Sequence, residues 1–221
     1  MIEQSVAVLG AADLMSRIDH LIVAAPDLDE GMARAEELLG VEAALGGQHP
    51  GFGTRNALIS LGEGRYLEIV GPDPDQPDPE GVRLFGVDDL EAPRLVTWVA
   101  KGTDLESLVG RAGRYASGLG SVHSGGRKQT DGKVLAWKVT DPFMPREGGV
   151  VPFFIDWGET PHPSETAPVG CELVGLRAEH PDVGRVRDIL SGLGLGLQVE
   201  SGPTPALIAT IRSPHGTVEL C

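Results

Sequence analysis

Cysteine is scarce in this chain: its 221 residues hold two, Cys171 and Cys221. Two cysteines make no disulfide framework, and no Cys-x-x-Cys pair or Cys/His cluster suggests a zinc site. Long hydrophobic runs are missing too; none approaches the roughly 18 apolar residues that would span a membrane. Positive charge is in short supply, with 18 Lys and Arg against 32 Asp and Glu and a formal net charge of −14. An acid-rich surface repels a nucleic-acid backbone or an anionic membrane, so neither is expected as a partner. The opening residues MIEQSVAVLGAADLMSR have no basic segment ahead of an apolar run and do not read as a signal peptide, so the expected location is cytoplasmic. Nucleophile motifs are lacking: there is no Gly-x-Ser-x-Gly, and Cys171 has no plausible base nearby. GLGLG, Gly192 to Gly196, follows a helical pattern instead of opening one, so it reads as a helix stop and turn, not a dinucleotide loop.

Glycine and proline are plentiful, at 31 and 17 residues. They predict many turns and many short elements. Hydrophobic content of 41% and charged content of 23% are ordinary for a globular protein, and the length suits one large domain or two small ones. A weak internal repeat organises the chain. IDHLIVAAPDLDEGMARAEELLG reads as a strand, a Pro26-Asp27 turn and a helix. Asp27 or Asp29 caps its start, Met32, Ala35, Leu38 and Leu39 form its apolar stripe, and Gly40 stops it. The strands NALISLG and RYLEIVG follow. RLVTWVAKGTDLESLVGRAG begins the pattern again, with its turn at Thr103-Asp104, and KVLAWKVTD and VVPFFIDWG complete it. CELVGLRAEHPDVGRVRDILSGLG begins a third copy at Pro181-Asp182, followed by ALIATIRSP and GTVELC. The Pro- and acid-rich stretches Pro72 to Gly81 and Glu159 to Pro168 read as extended linkers. GGQHPGFGTRN, Gly46 to Asn56, reads as a glycine-rich loop between the first helix and its next strand, echoed by HSGGRKQTDG in the second copy.

These residues carry a family resemblance. IDHLIVAAPDLDEG resembles the opening strand of the vicinal oxygen chelate superfamily (glyoxalases, bleomycin-resistance proteins, ring-cleaving dioxygenases). GGQHPGFGTRNALISLGEGRYLEIVGPD and VPFFIDWGETPHPS are similar to its glyoxalase-like branch. The resemblance is strongest from Ile18 to Asp73, extends over Arg94 to Ser164, and weakens beyond. It implies an α+β fold in which βαβββ modules pair, so that curved mixed sheets enclose a ligand cup. The expected modules are residues 17–72, 93–159 and 170–221. The third would pack beside the other two or against a second chain, so a homodimer is expected.

The resemblance also implies a site. In the metal enzymes of the superfamily, ligands come from the first and last strands of two paired modules. Position by position this gives His20 and Glu68, then Thr97, a poor ligand, and Asp156; the third module offers only Glu219. His20, Glu68 and Asp156 would suit a divalent ion such as Zn, Ni, Fe or Mn with open positions. Glu68 would act as catalytic base. A site with no metal is an equal alternative. His49, Arg55 and Asn56 would bind polar ligand atoms from the glycine-rich loop, with Arg55 on a carboxylate, while His123, Arg127 and Lys128 would add positive charge. Each residue has a plainer reading: His20 a hydrogen-bonded structural residue, Glu68 a paired buried acid, Arg55 and Asn56 a loop brace. His162, His180 and His215 read as surface residues. Two functions follow: a glyoxalase-like lyase or isomerase acting on a small oxygenated metabolite, or a metal-free protein that sequesters a small molecule.

Overall fold

A computed structural model describes residues 11–112, 118–129, 134–143 and 146–221. A short helix, α1 (Ala11–Arg17), leads into β1 (Ile18–Ala24). Helix α2 (Leu28–Leu39) begins at Asp27, whose carboxylate accepts from the Glu30 amide at 3.0 Å, and ends at Gly40 with φ 70°. Only glycine takes that left-handed conformation at no cost, which is why the helix stops there. β2 (Ala44–His49), β3 (Thr54–Ser60) and β4 (Tyr66–Pro72) complete the first unit. The second repeats the order: β5 (Arg94–Lys101), α3 (Leu105–Ala112), β6 (Val122–Gln129), β7 (Val134–Thr140) and β8 (Phe153–Asp156). The third runs β9 (Glu172–His180), α4 (Val183–Gly192), β10 (Gln198–Ser201), β11 (Ala206–Ser213) and β12 (Gly216–Leu220).

The first two units close one barrel in the order β1-β4-β3-β2-β6-β7-β8-β5. Within each, the first strand runs parallel to the last, β1 beside β4 and β5 beside β8. Alternation along the strands gives the barrel two faces. Leu21, Ile69, Trp98 and Phe154 point outward into one continuous core shared with Leu173, Ala178 and Ile211 of the third unit. Ile22, Val70, Val99, Val139 and Ile155 point inward and floor a cup. This is the α+β fold of curved mixed sheets around a cup that the resemblance implies.

Three expectations are corrected here. GGQHPGFGTRN is no loop: Ala44–His49 pairs with Thr54–Ser60 as a hairpin, with Gly47 opposite Asn56 and His49 opposite Thr54. Its echo is also mostly strand, β6, with residues 130–133 outside the described residues. The linkers are not free spacers either. Asp73 accepts from Gln48 and Gln76 at 2.8 Å each, and Arg83 Nε donates to the Gly53 carbonyl at 3.1 Å, so the first linker is tied to the hairpin turn. Lastly, the third unit keeps the βαβββ order but not the pairing. Its sheet runs β10-β9-β11-β12. Both sides of β9 are filled from within its own unit, by β10 and β11. One face of that sheet packs into the core it shares with the barrel. Among the described residues no helix is long and apolar enough to cross a membrane.

Candidate functional site

The cup is a cavity of about 240 Å³ inside the barrel. β1 and β4 deliver its acid-base pair. They run parallel with His20 opposite Tyr66 and Ile22 opposite Glu68, which sets His20 Nε2 3.4 Å from Glu68 Oε2. The imidazole stacks on Tyr66 with centroids 4.4 Å apart. Behind it, His20 Nδ1 donates to Asp19 at 2.7 Å. Asp19 is almost wholly buried and takes two further donors, Trp157 Nε1 and His162 Nε2, each at 3.3 Å. The Ser164 amide donates to His162 Nδ1 at 3.3 Å. That makes Nδ1 the acceptor and leaves Nε2 to carry the proton toward Asp19.

A second polar chain meets Glu68 from the hairpin. Asn56 Nδ2 donates to Glu68 Oε1 at 2.5 Å, and His49 Nε2 lies 3.5 Å from the same oxygen. Asn56 Oδ1 accepts from Arg127 Nη1 of β6 at 2.9 Å, which orients the amide. His49 Nδ1 meets Thr54 Oγ1 at 3.0 Å. Hence His20, His49, Asn56 and Glu68 are all buried, and all have partners.

Protonation follows from these contacts. Burial works against a charged His20, but the carboxylates of Asp19 and Glu68 outweigh it and push the ring up to about 9. Burial also opposes ionisation of Glu68, yet the donors His20 and Asn56 and the charge on His20 bring it down to about 2. Asp19 is held below the usual carboxylate range by the same balance, with burial outweighed by His162 and His20. Burial dominates at His49 and lowers its pKa, favouring the neutral ring. Tyr66 is raised, first by burial and then by Glu68, and stays a phenol. The resting cup therefore holds an imidazolium beside a carboxylate, buried and mutually compensated.

Of the residues expected from the sequence, His20, Glu68, His49 and Asn56 face the cup together. Asp156 does not join them. Phe153 and Ile155 line the cavity, so Asp156, one position out of phase, turns away and accepts from the Gly158 amide at 2.9 Å. Arg55 also turns away: it lies between Thr54 and Asn56 on β3, on the outward phase, and pairs with Asp29 of α2 at 3.3 Å. Thr97 donates to the Gly149 carbonyl at 3.1 Å. Glu219 pairs with Arg177 at 3.3 Å on the third sheet. His123 lines the cup at its exposed rim, while the side chain of Lys128 lies outside the described residues. Asp19, His162 and Trp157 were not expected. The Asp before His20 was the one local signal for Asp19; His162 comes from a linker and had none.

The donor set bears on a metal. His20 and Glu68 come from the first unit, but the inward positions of the second, Val99 and Ile155, cannot donate. Among the described residues no three His, Cys, Asp or Glu side chains are placed to hold a metal ion. The residues present do not fit an ion held by the expected His20, Glu68 and Asp156.

Residues 18–194 match the family model of a glyoxalase-like domain. No curated protein matches the chain by sequence. Among solved structures, a hypothetical protein from Staphylococcus aureus is similar over 91% of this chain and 83% of its own, with 16% identity and a TM-score of 0.58, and shares the fold. Methylmalonyl-CoA epimerase from Mycobacterium tuberculosis matches 69% of this chain and 94% of its own, at 18% identity and a TM-score of 0.41. A mutant 4-hydroxymandelate synthase from Streptomyces coelicolor matches 92% of this chain and 62% of its own, at 15% identity and a TM-score of 0.47.

Proposed function

Because this chain belongs to the glyoxalase-like domain family of the vicinal oxygen chelate superfamily, we propose that its cup binds a small oxygenated metabolite and moves a proton on it, as a lyase or isomerase does. One observation carries this reading: an acid and a base, His20 and Glu68, stand 3.4 Å apart in the cavity wall, each fixed from behind. Paired titratable groups pushed in opposite directions are the usual arrangement for acid-base work.

His20 would offer Nε2–H to a carbonyl oxygen of the ligand while Asp19 holds its Nδ1–H. The oxygen takes the place that Glu68 occupies at rest. Freed from His20, Glu68 regains basicity and accepts a proton from the carbon next to that carbonyl. Negative charge develops on the oxygen, where the imidazolium meets it. On an α-hydroxycarbonyl ligand, return of that proton to the former carbonyl carbon, as the hydroxyl of the deprotonated carbon gives up its own proton and becomes the carbonyl, isomerises the ligand. Departure of a leaving group with its electron pair from the carbon beyond the deprotonated one, re-forming the carbonyl, completes a lyase step instead. Positioned acid-base catalysis of this kind contributes about 10²–10⁴-fold. Divalent ions, Zn, Ni, Fe or Mn, serve many members of the superfamily, whereas here His20 and Glu68 would do this work themselves.

The aromatic walls favour a second reading, a metal-free protein that sequesters its ligand. Phe52, Phe85, Phe143, Phe153, Trp137 and Trp157 all line the cup, and such surfaces bind flat molecules without turnover. Solvent exchange decides between the two. In D₂O, with 2-oxobutanoate and hydroxyacetone as probes, NMR should show loss of the signal from protons beside the carbonyl in the presence of the protein. Glu68→Gln should abolish it. Tight ligand binding with no exchange in any carbonyl probe would leave the sequestering reading in its place.

A further inference from the structure

Arg127 is nearly fully buried on β6 and lines the cup. Its one bond among the described residues is from Nη1 to Asn56 Oδ1, at 2.9 Å. Nε and Nη2 have no partner there, and the side chain that carries them lines the cavity. These two atoms form one edge of the guanidinium, two parallel N–H groups matched in spacing to a carboxylate. A buried guanidinium without a facing carboxylate is costly unless an anion completes it.

The sequence makes room for that edge. A Cβ on Gly46 would collide with Arg127 Nη1 and Asn56 Oδ1. The first glycine of GGQHPGFGTRN is thus the floor on which the guanidinium and the amide rest. Flat side chains surround them. Phe85 stacks with Phe153 at 6.1 Å and Trp137 meets Trp157 at 5.2 Å between centroids. Phe52 and Phe143, 5.8 Å apart, stand partly exposed among the lining residues.

We infer that Arg127 is an anion-recognition residue and that the cup takes a flat aromatic molecule carrying a carboxylate. This rests on the proposed function only in placing the ligand in the same cup; recognition needs no turnover. The other charges in the cup do not compete. Glu68 already receives His20, Asn56 and His49, and Asn56 stands between it and Arg127. A phosphate, with its second charge, would meet Glu68, and among the described residues no second free cation lines the cup to offset it. A monoanionic carboxylate meets one guanidinium edge. The arrangement moves to Arg127 the carboxylate-binding role expected of Arg55, which faces α2.

Calorimetry with phenylacetate, phenylacetamide and acetate tests the inference on the wild-type protein. Loss of one charge-assisted contact corresponds to about tenfold to a hundredfold in affinity. Phenylacetate should therefore bind at least that much tighter than phenylacetamide, and acetate, with no ring, should bind more weakly still. Arg127→Met should bring the acid-to-amide ratio close to one, and Arg127→Lys should retain part of the preference. A wild type that binds the amide as well as the acid overturns the inference without any variant, so a misfolded Arg127→Met leaves it open to refutation. Undiminished acid preference in Arg127→Met also overturns it. If the wild type prefers phenylacetate yet exchanges no carbonyl-adjacent proton, the inference stands and the catalytic reading falls.

Discussion

The first half of the barrel, β1 to β4, faces the cup with His20, His49, Asn56 and Glu68, whereas the second half, β5 to β8, answers mainly with Trp137, Val139, Phe153 and Ile155, with His123 at the exposed rim and the guanidinium of Arg127. Both halves have the same strand order and the same parallel contact between first and last strands. The fold thus supplies equivalent inward positions and leaves their chemistry open. Buried charge explains why the two kinds of residue are segregated. Asp19, His20 and Glu68 are tolerable in the interior because they satisfy one another over 2.7 to 3.4 Å. Scattered between the two walls, each would have to be desolvated alone. On the proposed function, the apolar wall would give a ligand area, and the polar wall would give it orientation and a proton path.

The largest expected effect on this contrast comes from Asp19→Ala. It strips His20, Trp157 and His162 of a shared acceptor, and breaking a buried ion pair typically costs about 3–5 kcal/mol. Ile155→Val, on the opposite wall, should cost about 0.5–1.5 kcal/mol. Urea unfolding of both variants checks the difference, and equal costs would erase the distinction between the walls.

Next comes Glu68→Gln, which keeps the shape of the side chain and removes the base. Proton exchange should fall by about a hundredfold or more, while affinity for phenylacetate changes far less. A loss of affinity as large as the loss of exchange would assign Glu68 to binding.

Stability should also respond to pH on the polar wall. Glu68 is lowered from 4.5 to about 2, so its contribution is complete above pH 4.5 and is lost as pH falls toward 2. His20 is raised from 6.5 to about 9, so its contribution is complete below pH 6.5 and is lost as pH rises through 9. The urea midpoint of the wild type should drop at both ends, and Glu68→Gln should flatten the acid arm. Parallel curves for the two proteins between pH 2 and 4.5 would show that other carboxylates govern it.

Smaller effects should separate two glycines, one on each wall. Gly46→Ala pushes on Arg127 and Asn56, and Gly125→Ala pushes on the Trp137 indole. Each should cost about 1–3 kcal/mol of stability. Calorimetry should show the first eroding the preference for phenylacetate over phenylacetamide, and the second weakening both ligands alike. The reverse pattern would exchange the roles of the walls.

Least of all is expected from metal removal. Since the first and last strands of the second unit turn Val99 and Ile155 inward in place of ligands, dialysis against a chelator should leave proton exchange unchanged. A large loss, restored by Zn²⁺ or Mn²⁺, would show that water or substrate completes a coordination shell around His20 and Glu68.

Much of the fold was legible in the residues. The Asp27 cap, the Gly40 stop and the apolar stripe of α2 are local signals, written within one turn of the elements they define. The βαβββ order could be followed through three turn dipeptides. The site was legible in half-measure. His20, Glu68, His49 and Asn56 were named and do share the cup. Arg55 and Asp156 were named and do not, because in a strand a displacement of one residue reverses the face. The glycines of β2 concealed a strand, since glycine is poor at forming one. Gly46 leaves room for Arg127, a residue from the other unit.

Sequence alone determined what depends on near neighbours: strand alternation, helix caps, turn positions, the acidic surface, and the pairing of Asp19 with His20. Tertiary structure decided which walls meet. His162 reaches Asp19 and Arg127 reaches Asn56 only because two units close a barrel. Such contacts join residues far apart in the chain, and what selects them is burial. A carboxylate or guanidinium withdrawn from water must find its partner wherever the packed core brings one, and no local pattern records where that will be.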